Sequence, residues 1–140
     1  MVSDVVDGNT LVVEIDKGPR VRVRLMGVAT PAQGECFGDE AKARIQGLAL
    51  YRRVVLVGDP TQSTRDRRGR LLAYVEAKGA DVGRQLLVGG FGAVHLFRKR
   101  PFTRFESYQA AQARATAEAR GMWGSCGALK PPETPPPAPA

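Results

Sequence analysis

The chain has 140 residues, with 21 lysines and arginines against 14 aspartates and glutamates, so its net charge is +7. Hydrophobic residues make up 43% and charged residues 25%, which predicts one folded domain and excludes global disorder. The longest apolar stretch, Leu86 to Phe97, is shorter than the about 20 residues of a membrane span. The positive charge favours an anionic partner, either nucleic acid or an anionic membrane surface.

Three strands are predicted at the start of the chain. Val2–Val6 is the first, and Leu11, Val13 and Ile15 share one face of the second. The turn Lys17-Gly18-Pro19 then leads into a third strand. That strand carries three arginines opposite its apolar face: Arg20, Arg22 and Arg24. We expect this face to follow the phosphates of a nucleic acid.

A helix, two strands and two further helices follow. In chain order they are a helix at Phe37–Tyr51, strands at Arg53–Val57 and Leu71–Val75, and helices at Asp81–Val88 and Arg104–Arg120. Asp81 is the expected N-cap of the second helix, and Gly121 ends the third. Trp123 is expected to dock the last helix in the core. This order of elements predicts an α+β fold, a five-stranded Greek-key β-barrel of OB type with three helices.

The end of the chain has a different composition. Six prolines lie between Lys130 and Ala140, and such a segment does not form a core. We expect residues 1–127 to fold as one domain and residues 128–140 to form a disordered proline-rich tail, most simply a spacer. The lysine and the glutamate of the tail cancel, so the whole charge of +7 lies on residues 1–129.

Three segments carry a resemblance to a known family. They read VDGNT at 6–10, VRLMGVATPA at 23–32 and DRRGRLLAYV at 66–75. In this order they resemble the staphylococcal nuclease (thermonuclease-like) family, whose patterns are DGDT, RLxGIDTPE and DxYGRxLAY. Further matches extend the resemblance over residues 4–126. It implies an OB-type barrel with a calcium-dependent phosphodiesterase site on its face.

The resemblance gives roles to individual residues. Arg24 and Arg70 stand at the positions of the two catalytic arginines that hold the phosphate. In the family, two aspartates and a threonine carbonyl bind Ca²⁺, and a glutamate activates water. This chain has Asn9 and Ala29 at two of these acid positions, and Ala32 at the position of the general base.

These replacements predict a loss of metal binding and of catalysis. Ca²⁺ prefers about six to eight oxygen ligands, and its affinity follows the number of carboxylates. The metal site would consist of four residues and is expected to be weak or absent: Asp7, Asn9, Ala29 and Thr30. A positioned general base contributes roughly 10²- to 10⁴-fold in rate, so we expect poor cleavage.

The phosphate-binding half of the site is kept, because Arg is suited to bidentate phosphate contacts. We expect sequence-independent, salt-sensitive binding of DNA or RNA through four arginines: Arg24, Arg67, Arg68 and Arg70. In the family, tyrosines near Leu96 and Arg98 border the nucleotide. None is present here, which weakens the expectation of contacts to the base.

Two alternative functions stay open. One is an active nuclease whose site is rebuilt around Glu35, Asp39 or Glu40, although these acids are also typical of the first turn of a helix. The other is a non-enzymatic interaction scaffold. His95, the one histidine, is either a general base or a strand-edge residue near Arg98. Asn and Ala are usual choices for deliberate inactivation, and natural divergence is the other origin of the three replacements.

The chain has two cysteines, Cys36 and Cys126. Secreted relatives often carry cysteines at these places, so the resemblance implies a disulfide, with two free thiols as the alternative. There is no CxxC pair for zinc. A disulfide argues for a secreted or cell-envelope protein whose leader, which is not in this sequence, has been removed. We expect a monomer.

Overall fold

The computed structural model describes residues 1–126, so the tail predicted at 128–140 lies outside the described residues. Eight strands are present in this part: β1 (Val2–Asp7), β2 (Thr10–Glu14), β3 (Arg20–Leu25), β4 (Val28–Ala29), β5 (Val55–Val57), β6 (Leu71–Ala77), β7 (Ala80–Asp81) and β8 (Ala93–Val94). The α-helices of the same part are α1 (Gly38–Ala49), α2 (Val82–Val88), α3 (Phe105–Ala117) and the short α4 (Met122–Ser125).

The main sheet has the strand order β1-β2-β3-β6-β5. The β3–β6 pair is parallel, and the other neighbours in this order are antiparallel. At its far edge, β1 returns to the residues ahead of β5, because Val2 N–H donates to the Arg52 carbonyl (3.0 Å) and Tyr51 N–H to the Val2 carbonyl (2.9 Å). The predicted α+β fold with an OB-type Greek-key barrel is therefore confirmed.

The alternating pattern of the first hairpin is seen in its pairing. Leu11 lies opposite Val23, and Val13 lies opposite Val21. Leu11, Val13 and Val23 are buried in the core. Ile15 was expected on the same face, but β2 ends at Glu14 and Ile15 is 38% exposed. The chain turns there, because Asp16 and the next residue take left-handed backbone conformations.

The helices cover the barrel with their small and apolar faces. In α1 the buried positions include Ala41, Ile45 and Ala49, which are spaced four apart. Asp81 caps α2 as predicted, since its carboxylate accepts the Arg84 N–H at 3.1 Å. In α4, Met122 is the buried residue and Trp123 is half-buried, so docking of this helix depends on Met122 more than on Trp123.

A disulfide joins Cys36, just ahead of α1, to Cys126 at the end of α4. The two cysteines are 90 residues apart in sequence, so the bond closes a loop that holds most of the fold. No helix within residues 1–126 is long and apolar enough to cross a membrane.

Candidate functional site

A cleft of about 850 Å³ opens where five segments meet: the β1–β2 turn, the end of β3, the residues after β4, the loop before β6 and the residues after β8. Seven arginines line it: Arg24, Arg65, Arg67, Arg68, Arg70, Arg98 and Arg100. Only two carboxylates, those of Asp7 and Asp66, share the lining. The cleft therefore concentrates positive charge and attracts anions.

Arg24, on β3, is the buried arginine of the cleft, with 7% of its surface exposed. Its Nη1 donates to the carbonyl oxygens of Leu25 (2.7 Å) and Val28 (2.6 Å). Its guanidinium lies 5.2 Å from the centre of the Phe97 ring. Burial and then the neighbouring Arg70 lower the pKa of Arg24 to about 10, so the group stays charged at neutral pH. The fold thus holds a cation in a fixed place.

Arg70 is held from two sides at the start of β6. Its Nε donates to Asp66 Oδ2 at 2.6 Å, and its Nη1 donates to Thr10 Oγ1 at 3.0 Å. Asp66 Oδ1 also accepts the backbone N–H groups of Arg68 and Arg70, each at 2.9 Å. Burial alone would raise the pKa of Asp66, but these bonds outweigh it and the pKa lies below its usual range. An ionised Asp66 therefore orients Arg70.

Three of the four predicted metal-site residues line the cleft: Asp7, Asn9 and Thr30. Asp7 Oδ1 accepts the Asn9 N–H at 3.0 Å. A Cβ on Gly8 would lie 2.7 Å from Thr30 Oγ1, so the β1–β2 turn lies directly against the end of β4. Thr30 and the general-base position line the cleft, whereas Ala29 lies in β4, paired with Ala93 of β8.

This donor set does not fit Ca²⁺. Of the four residues, Asp7 alone has a carboxylate, and the Asn9 side-chain oxygen already accepts the Thr10 hydroxyl at 3.1 Å. No group of three or more His, Cys, Asp or Glu side chains within residues 1–126 is arranged to hold a metal ion. Arg24 and Arg70 line the same cleft, and their positive charges oppose the binding of a cation.

The acids that could rebuild the site do not line the cleft. Glu35 Oε1 accepts the Ala32 N–H at 2.7 Å and so fastens the loop ahead of α1. Asp39 and Glu40 lie in the first turn of α1, where the helix dipole favours negative charge. All three are absent from the lining residues.

His95 comes directly after β8 and lines the cleft half-buried. Its ring meets Phe97 edge-on, with 4.8 Å between the ring centres. Burial and then the charge of Arg24 lower the pKa of His95, so the imidazole is neutral at pH 7.

The three consecutive cations Arg98, Lys99 and Arg100 enter the cleft only in part. Arg98 and Arg100 line it, but Lys99 between them does not. Of the predicted phosphate-binding strand face, Arg24 alone reaches the cleft, because Arg20 and Arg22 lie further back along β3, at about 3.3 Å per residue. The Phe97 contact with Arg24 was also missed, since no pattern in the sequence marks it.

Comparisons with known proteins fit this geometry. The family model described as staphylococcal nuclease homologue matches residues 22–125. Among curated proteins, Protein ParB of Escherichia coli is 39% identical over 71 residues, which are 51% of this chain. The match covers 37% of that relative, so this chain spans little more than a third of its length.

Proposed function

The chain belongs to the staphylococcal nuclease homologue family, and we propose that its cleft binds nucleic acid while hydrolysing it poorly or not at all. The observation that carries this proposal is the charge of the cleft, where seven arginines face two carboxylates. A phosphodiester strand supplies the missing negative charge.

Arg24 and Arg70 are the residues that would hold a phosphate. Both are pre-oriented, Arg24 by two backbone carbonyls and Arg70 by Asp66, so little side-chain freedom is lost on binding. Arg67 and Arg68 extend the same cationic lining on the loop before β6. Contacts to the backbone alone carry no sequence information, so binding would be sequence-independent and sensitive to salt.

Impaired hydrolysis follows from what the family chemistry needs. The family is generally calcium-dependent, and the residues here leave one carboxylate where Ca²⁺ would bind. Ala32 at the general-base position cannot take a proton from water. The three losses act on one reaction and are not additive, but together they remove most of the usual rate enhancement.

The binding proposal is tested with a fluorescent single-stranded oligonucleotide. We expect anisotropy to rise with protein at low salt and the apparent affinity to fall steeply as salt is added. A flat titration at low salt would contradict the proposal. It would favour the interaction scaffold, which predicts no thermal protection by nucleic acid.

The catalytic proposal is tested by restoring the acids. The parent should leave plasmid DNA and RNA uncut with Ca²⁺, Mg²⁺ or EDTA, and calorimetry should detect no tight Ca²⁺ binding. The variant Asn9→Asp, Ala29→Asp, Ala32→Glu should gain calcium-dependent cleavage, because the two arginines and the scaffold are in place. Metal-dependent cleavage by the parent would instead support a rebuilt site.

Two further proposals concern the protein as a whole. The disulfide supports an oxidising, secreted or cell-envelope location. We also propose that residues 1–127 form one domain that works as a monomer.

A further inference from the structure

We propose that Arg98 and Arg100 form a second phosphate subsite, so that the cleft holds one single-stranded nucleic acid through more than one phosphate. This inference rests on the proposed function and specifies its ligand. The ligand is a strand with several phosphodiesters rather than a mononucleotide. The first subsite consists of Arg24 and Arg70, and the second is defined by Arg98 and Arg100.

The direction of the side chains is the first argument. Residues 97–99 form a tight turn in which Arg98 (φ 52°) and Lys99 (φ 59°) take left-handed backbone conformations. Arg98 and Arg100 line the cleft, whereas Lys99 does not. The local backbone thus directs two of three neighbouring cations into the cleft.

Arg98 and Arg100 have no acidic counter-ion among the described residues, since no carboxylate lies within ion-pair distance of either. Both are exposed and share the cleft with five other arginines. Like charges gathered in this way repel one another, and a ligand with several negative charges relieves that repulsion.

Hydrogen bonds and a ring contact connect the two subsites. Gln62, from the loop before β6, donates through Nε2 to the carbonyl oxygens of Arg100 (3.3 Å) and Pro101 (3.4 Å). Phe97 lies under the guanidinium of Arg24. The segment that carries the second subsite therefore contacts both the loop and the buried arginine of the first subsite. One strand bound at both sites would lose little further freedom.

The experiment compares two double variants with equal loss of charge. Arg98→Gln with Arg100→Gln removes the second subsite, and Arg53→Gln with Lys99→Gln removes two exposed cations that do not line the cleft. Binding of dT and rU oligonucleotides is measured by anisotropy over a range of salt. Thermal melting confirms that both variants are folded.

We expect the cleft variant to bind oligonucleotides about tenfold more weakly at low salt. The slope of log affinity against log salt should become shallower by about 1.4, because each lost phosphate contact on a single strand contributes about 0.7 and two contacts are lost. The control should keep the parent slope, dT and rU should respond alike, and neither variant should change the weak binding of a mononucleotide.

Other results overturn the inference in distinguishable ways. If the salt dependence of the affinity falls equally in both double variants, binding depends on the overall positive charge and not on a second subsite. A loss confined to rU would show recognition of the sugar instead of the phosphate. If the parent itself binds no oligonucleotide, the proposed function fails and this inference fails with it.

Discussion

Arg104, at the N-cap of α3, and the arginines of the cleft show two uses of the same residue type. Nη1 of Arg104 is 2.9 Å from Asp81, and Nη2 is 2.9 Å from Glu76. Its guanidinium also lies 4.2 Å from the centre of the Tyr74 ring. Burial lowers the pKa of Arg104, but the bonds to the two acids outweigh it, and the pKa is raised. In the cleft, the arginines outnumber the carboxylates.

Asp59 and the cleft residue Asp7 differ in the same way, while the second cleft acid, Asp66, is bonded to Arg70 and to two backbone N–H groups. Asp59 accepts hydrogen bonds from the N–H and hydroxyl of both Thr61 and Thr103, and from the hydroxyl of Tyr74 at 2.5 Å. Although burial raises its pKa, these bonds prevail and keep the pKa well below its usual range. Asp7 in the cleft accepts one such bond among the described residues, from Asn9. Around Arg104 and Asp59, each charged group has partners that stabilise the fold. In the cleft, the excess of arginines over carboxylates leaves positive charge available for an anionic ligand.

The largest effect is expected from Asp59→Asn. An amide cannot accept all five hydrogen bonds, and buried donors left without a partner cost about 3 kcal/mol of unfolding free energy in total. Urea denaturation measures this loss. The oligonucleotide affinity of the folded variant should match that of the parent. A large loss of affinity would mean that the two regions are not independent.

The ionisation of Asp59 also gives a pH dependence. Because the folded-state pKa lies below the unfolded value of about 3.9, its contribution is present above that value and is lost as pH falls further. Asp59→Asn should therefore lose less stability than the parent between pH 4 and pH 2, as measured by thermal melting.

The next largest effect separates Arg70 from Arg104. Arg70→Gln should weaken oligonucleotide binding about tenfold, because a charge-assisted contact to phosphate is lost. Arg104→Gln should leave binding unchanged and reduce stability by about 2 kcal/mol, since the charges of Glu76 and Asp81 lose their partner. Anisotropy and urea denaturation measure the two effects. The reverse pattern would contradict the division between the regions.

The smallest effect concerns His95. A bound phosphate favours the imidazolium, so affinity should rise a few-fold as pH falls from 8 to 5.5 in the parent and stay flat in His95→Gln. The oligonucleotide must lack a terminal phosphate, which titrates in this range. Stability should move in the opposite direction. The folded-state pKa is lowered, so the unfolded chain takes up the proton first and the folded state is disfavoured as pH falls below about 6.5.

Sequence patterns predicted the parts of the molecule that depend on regular geometry. The alternation of apolar and charged residues predicted that Arg24 lies on the face of β3 opposite Val23 and Leu25. The helical pattern after Asp81 predicted that this residue caps α2. The Asp59 contacts could not be predicted in this way, because Thr103 lies 44 residues away and no periodicity relates the two. The same holds for Arg98 and Lys99, which take left-handed backbone conformations that bulky residues rarely adopt, and of which only Arg98 lines the cleft.

The disulfide has a consequence for the order in which the molecule is made. Cys36 cannot form this disulfide until Cys126 has been synthesised. At about 5–20 residues per second, a ribosome needs roughly 5–18 s to cover the sequence separation of 90 residues. By then the segments of all eight strands and of α1 to α3 have been synthesised. The Cys36–Cys126 bond therefore forms only after nearly all of residues 1–126 have been synthesised, and until then Cys36 is a free thiol that can exchange with other thiols and disulfides.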